Sequence, residues 1–120
     1  MTPSARFLLK VIAGTNTGAE FALEAGHSYL MGTETTSCDI VFHDLSVSRE
    51  HARLYLSPTG QLEIEDLRSR NGVVIDQKQI TGRVVLQPSV VVTLGTTAFF
   101  VVDREAPQET LVMVPVVESQ

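Results

Sequence analysis

"HDLSVSREHARLYL", residues 43–56, changes character halfway. Its first half gathers Asp44, Ser46, Ser48, Arg49, His43 and His51, whereas from Ala52 onward apolar residues fall on alternate positions. Ala52, Leu54 and Leu56 share one face of an extended segment, and Arg53 and Tyr55 the other. That period of two predicts a half-buried strand preceded by a loop rich in hydrogen-bonding groups.

The same grammar holds on both sides. Short apolar, β-branched runs bounded by turn residues occur at 7–12, 20–23, 28–31 and 39–42, and again at 61–66, 72–75, 83–86, 90–94 and 97–103. In "QLEIED" Leu62 and Ile64 oppose Glu63 and Glu65, and "SPTG" (57–60) between this run and 51–56 predicts a hairpin. No stretch of ten residues carries helical periodicity with caps. Ten or eleven short strands and almost no helix make an all-β sandwich the expected class.

Bulk properties narrow the function. At 120 residues one domain fits. A formal charge of −5 argues against holding nucleic acid by phosphate neutralisation, which requires a clustered cationic excess. Four of the nine basic residues, Arg49, Arg53, Arg68 and Arg70, nevertheless fall between positions 49 and 70, so either a local anion site or ordinary solvated charge is expected there. Cys38 is the single cysteine; it fits a reducing compartment and reads as a small half-buried residue. Neither a signal peptide nor a run of about 18 apolar residues is visible, so a soluble chain without membrane contact of its own is expected.

Three chemistries suggest themselves, two of them drawing on the polar half of 43–56, and each meets an obstacle. A nucleophilic set of Ser48, His51 and Asp44 lacks the Gly-x-Ser-x-Gly elbow and an evident oxyanion hole, and residues three apart on an extended segment point to opposite faces. A zinc site from Cys38, His43 and His51 matches no ligand spacing and offers one thiol. "AGTNTGAE" (13–20) has its glycines too close together, with no Lys-Ser/Thr after them, for a nucleotide-binding loop. The expectation is therefore no catalysis, no metal and no cofactor.

What remains is a set of motifs in fixed order. Gly14-x-x-x-Gly18-x-x-Phe21-x-Leu23 is followed by Gly32 after a strand, then Ser48-x-x-His51, then "SRNG" (69–72) before further apolar strands. In this order the sequence resembles the forkhead-associated (FHA) domain over nearly its whole length. The resemblance implies an FHA/SMAD-like β-sandwich of about eleven strands whose loops at one end bind a phosphothreonine-containing peptide. It assigns phosphate or peptide contacts to Ser48, Arg49, Arg70 and Asn71, and structural roles to Gly32, His51 and Gly72, with His51 bracing the Ser48 loop. Phosphate chemistry fits those residue types, since three strong acceptors and a charge near −2 call for hydroxyl and guanidinium donors.

One position departs from the family pattern. Thr33 stands where the family has the arginine that grips phosphate, and a hydrogen bond to a charged group contributes about 1.5–3 kcal/mol. Two readings follow: a phosphothreonine-peptide reader with a degenerate site, or a phosphate-independent scaffold. The second fits the degenerate FHA domains of type III secretion inner-membrane ring proteins, with secretion-apparatus subunits as partners. Both place the domain in the cytoplasm, the second on the cytoplasmic side of an inner-membrane protein. The expected organisation is an N-terminal extension (1–5), the domain (6–104) and a C-terminal tail or linker (105–120), in which "TLVMV" could add an edge strand.

Overall fold

The structure, a computed structural model, describes residues 5–105. Eleven strands run β1 (Phe7–Ala13), β2 (Glu20–Leu23), β3 (His27–Gly32), β4 (Ile40–Val41), β5 (Ala52–Leu56), β6 (Leu62–Asp66), β7 (Val73–Ile75), β8 (Lys78–Gln79), β9 (Arg83–Leu86), β10 (Val92–Leu94) and β11 (Thr97–Asp103). They form a six-stranded sheet, β2-β1-β11-β10-β7-β8, facing a five-stranded sheet, β4-β3-β5-β6-β9. The β3–β4 pair is parallel, Met31 opposite Ile40; the other neighbours are antiparallel. The all-β sandwich expected from the periodicity is the fold observed.

The alternation in the sequence becomes the core. Ala52, Leu54 and Leu56 of β5 are buried, and the antiparallel register sets Leu54 opposite Ile64 and Leu56 opposite Leu62 on β6. From the facing sheet come Phe7, Leu9 and Val11 of β1 and Phe99 and Val101 of β11. With no tryptophan, the largest buried groups are phenylalanines. Phe42, just past β4, stacks on Phe99 with ring centroids 6.3 Å apart and planes 17° from parallel, tying the loop that follows β4 to the opposite sheet.

Most strand ends lie within a residue or two of those expected; two segments differ. Strand β8 was not anticipated: Asp76 and Gln77 both take positive φ (52° and 68°) and close a two-residue hairpin without glycine. The composition of 90–94 predicts one strand, but Ser89 turns through positive φ (71°) and pairing begins only at Val92. Val90 closes that turn, its N–H donating to the Gln87 carbonyl (3.4 Å), and Val91 follows it exposed. The tail segment "TLVMV" lies outside the described residues.

Antiparallel β1 and β11 fix the poles of the sandwich. At one end Phe7 pairs with Asp103; there the Arg104 N–H donates to the Arg6 carbonyl (2.7 Å) and the Arg6 guanidinium grips Asp103 through two bonds (2.9 and 3.0 Å). At the other end lie the β1–β2, β3–β4, β4–β5, β6–β7 and β10–β11 connections. Phe99→Ala is expected to cost about 3–5 kcal/mol in urea denaturation. A double-mutant cycle with Phe42→Ala should return a coupling of about 0.5–1.5 kcal/mol, since the two rings are in contact.

Candidate functional site

Site formation starts with a close approach of two backbones. Gly32 ends β3, and a Cβ there would run into the Arg49 carbonyl and lie 2.9 Å from the Ser48 carbonyl oxygen. Only glycine lets the β4–β5 loop come this near. Once there, the loop accepts the Thr33 N–H at the Ser48 carbonyl (3.2 Å) and the Glu34 N–H at the Arg49 carbonyl (3.1 Å).

His51 fixes the same loop from below. Its ring is fully buried. Nδ1 accepts the Ser48 backbone N–H (3.0 Å), so Nε2 carries the proton and donates to the Gly72 carbonyl (2.7 Å). Gly72 has φ of +76°, in the left-handed region that favours glycine, and its carbonyl thereby faces the imidazole. One side chain thus joins the β4–β5 and β6–β7 loops. Burial pushes the His51 pKa down and Arg70 lowers it further; the Gly72 bond and nearby Asp66 oppose this without restoring it.

Asp44 holds the tip of the loop. Its carboxylate is 7 % exposed and accepts four bonds: Ser46 N–H (2.9 Å) and Oγ–H (2.6 Å) on Oδ1, Thr96 Oγ1–H (2.7 Å) and Thr97 Oγ1–H (2.6 Å) on Oδ2. Burial alone would raise its pKa, but those donors outweigh it and hold the group well below the usual carboxylate range. On the other flank Asn16 Oδ1 accepts the His43 N–H (2.8 Å), and Thr15 Oγ1 donates to the His43 carbonyl. None of these partners figured in the sequence-based set. An Asp two residues before a Ser is a turn signal, but its threonine donors lie some fifty positions away.

The segment between the two histidines is a pair of turns, not the extended chain from which opposite facing was inferred. The turns carry the imidazole beneath the Ser48 amide, not to its hydroxyl. Asp44 is committed to Ser46, Thr96 and Thr97, so Ser48, His51 and Asp44 do not form a nucleophile–base–orienter relay. Cys38 donates its Sγ–H to the Arg49 carbonyl (3.1 Å), and among the described residues no group of three or more His, Cys, Asp or Glu is arranged to hold a metal ion.

Above this framework lies a cleft of about 650 Å³ lined by Thr33, His43, Asp44, Leu45, Val47, Ser48, Arg49 and Arg70. Four of the five expected binding residues therefore meet there; Asn71 stands beside it. Their donors are unequally free. Ser48 Oγ accepts the Arg70 N–H (2.9 Å), leaving its own proton to give. Arg70 Nη2 donates to the Leu45 carbonyl (2.7 Å), and Asn71 Nδ2 to the Ser46 carbonyl (2.8 Å). Arg49 is exposed.

His51→Ala is expected to lower stability by about 1–3 kcal/mol, since it orphans the Ser48 N–H and the Gly72 carbonyl. The depressed pKa adds a pH signature. Between the folded and unfolded pKa values the unfolded chain binds more protons, so stability present above about pH 6.5 is lost as pH falls. Urea midpoints measured from about pH 7.5 down to about 5 should decline in the native protein, and His51→Gln should flatten that portion of the curve. Below about pH 4 a second decline is expected from Asp44 and from Asp103, whose pKa the Arg6 guanidinium also depresses, and Asp44→Asn should reduce it without removing the Asp103 part.

Comparison with known proteins agrees with this architecture. The family model described as the inner membrane component of the type III secretion system (T3SS), cytoplasmic domain, matches residues 10–105. Curated protein sequences give no significant match. Among solved structures, the FHA domain of the CT664 protein from Chlamydia trachomatis is 44 % identical, with a TM-score of 0.80 over 82 % of this chain and 98 % of that one. Mycobacterium tuberculosis EmbR, in complex with a low-affinity phosphopeptide, is 26 % identical at a TM-score of 0.70, over 82 % of this chain and 24 % of its own. The cytoplasmic domain of the T3SS sorting platform protein PscD from P. aeruginosa has the same fold, at 22 % identity and a TM-score of 0.71, over 84 % and 82 % of the two chains. With the family model spanning most of the chain and a close FHA relative beside it, this chain belongs to the family of T3SS inner-membrane-component cytoplasmic domains, built on the FHA fold.

Proposed function

We propose that the domain is a protein-docking module of a type III secretion inner-membrane component, working on its cytoplasmic side, and that its loop-end cleft recognises a partner without requiring phosphate. A protein-interaction role is common to the FHA relatives; independence from phosphate is the finer claim. The observation that carries it is the internal use of the donors. Arg70 and Asn71 spend hydrogen bonds on the carbonyls of Leu45 and Ser46, and position 33 offers a hydroxyl in place of a guanidinium. A dianion with three acceptor oxygens would meet Ser48, Thr33, Arg49 and a half-committed Arg70.

The competing reading is the phosphothreonine-peptide reader. It draws on the convergence of Thr33, Ser48, Arg49 and Arg70 on one cleft and on the phosphopeptide bound by the relative EmbR. Fluorescence anisotropy separates the two. A degenerate phosphothreonine decapeptide library and its unphosphorylated twin are titrated against the native protein, Thr33→Arg and Ser48→Ala. Docking without phosphate predicts less than about a threefold preference for the phosphorylated library in the native protein. Thr33→Arg would then gain little, because Arg70 and Asn71 stay engaged with the Leu45 and Ser46 carbonyls. A preference of about tenfold or more, abolished by Ser48→Ala and strengthened by Thr33→Arg, would establish the phosphopeptide reader instead, since one charge-assisted bond is worth about that factor.

A further inference from the structure

The cleft differs from the rest of the surface in both charge and apolar exposure. The chain carries −5 overall, yet the cleft is lined by two guanidinium groups, Arg49 and Arg70, and one carboxylate, Asp44. Asp44 is buried and has both oxygens occupied. Elsewhere Arg6, Lys10, Arg53 and Arg83 are each paired with carboxylates; Arg68, Lys78 and Arg104 are not, among the described residues, but none of these three lines the cleft. Arg49 and Arg70 have no such partner among the described residues.

Leu45 stands at the edge of the same cleft, 95 % exposed, far beyond Val85 (52 %), Ile12 (43 %) and Val91 (42 %). An isolated exposed leucine is ordinary. This one is held by its neighbours on both sides: Asp44 makes four hydrogen bonds, the Leu45 carbonyl accepts from Arg70, and the Ser46 carbonyl accepts from Asn71. The loop is ordered before any partner arrives, so little entropy remains to be lost when an apolar side chain packs on it.

We infer that the cleft is built for an unphosphorylated acidic segment of a protein partner, one carboxylate meeting Arg49 and Arg70 and a neighbouring apolar side chain packing on Leu45. With the Asp44 charge counted against Arg49 and Arg70, the lining carries one net positive charge, which matches a carboxylate better than a phosphate. A carboxylate brings one charge and two oxygens, which suit one free guanidinium, the remaining N–H groups of a second and the Ser48 hydroxyl. A phosphate brings nearly twice the charge and a third oxygen, and the residue at position 33 supplies no cation to meet them. The inference rests on the docking reading above and names the chemistry of what docks.

The test uses three decapeptide libraries with the central residue fixed as Glu, Thr or phosphothreonine and one flanking position restricted to Leu, Ile, Met or Phe. Each is titrated by anisotropy against the native protein, Leu45→Ser, Arg49→Gln and Ser48→Ala. All three substitutions are at exposed or half-exposed sites, and retained melting curves verify folding. The Glu library is expected to bind about tenfold more tightly than the Thr library, with no further gain from phosphothreonine. Leu45→Ser and Arg49→Gln should each remove most of that advantage, and raising salt should shrink it. If the Glu and Thr libraries bind equally well and both are weakened by Leu45→Ser, the docking reading stands and the acidic preference is overturned. If phosphothreonine exceeds Glu by tenfold or more, the cleft is a phosphate site and the inference fails. If no library binds, or binding ignores all three substitutions, the cleft itself is not the docking surface and both readings fall.

Discussion

A buried, neutral imidazole governs the loop end of this sandwich. His51 sits where two loops from different strand pairs would otherwise each leave a polar backbone group facing a dry interior, the Ser48 N–H on one side and the Gly72 carbonyl on the other. A neutral ring can do both jobs at once, accepting on one nitrogen and donating on the other. A protonated ring cannot, since it has no acceptor, and a lysine or glutamate could satisfy only one of the two groups. The identity of the residue is therefore set by the polarity of the gap it fills.

Around that brace the loops satisfy one another to an unusual degree. Side chains that could reach outward, Asp44, Arg70 and Asn71, are turned onto neighbouring loop groups. Such mutual satisfaction makes the loop end stiff, and it changes what the end can recognise. A recognition surface with all donors free adapts to a highly charged ligand. One that has already spent several of them has fewer left for a ligand, which is the basis of the docking reading proposed above.

Much of this was legible in the sequence. Strands β5 and β6 could be read from alternation alone, because one face is buried and the other wet, and the turn residues between them carry their own signal. Strand β8 could not: it depends on Asp76 and Gln77 adopting a conformation that their side chains do not favour. Val90 and Val91 misled for the opposite reason, since their composition is that of a strand while Ser89 turns the backbone away. At the site, motif order pointed to the residues that gather round the cleft, because each lies just beyond a strand end at the same pole. Asp44 has no role legible in the sequence beyond the catalytic set it fails to form, because its partners Thr96 and Thr97 are remote in sequence. A carboxylate satisfied by distant hydroxyls leaves no local pattern to read.

The pairing of Arg6 with Arg104 and Asp103 places both ends of the described chain at the pole opposite the cleft. The two described ends lie side by side, at the same end of the adjacent antiparallel strands β1 and β11. Tension applied through those two points would load the hydrogen bonds of that ladder one after another, as a zipper opens, and not all together as in shear. Such an attachment is mechanically weak, and the first bonds to part are the farthest from the cleft. A domain loaded in this way gives first at its chain ends, while the cleft at the opposite pole stays folded.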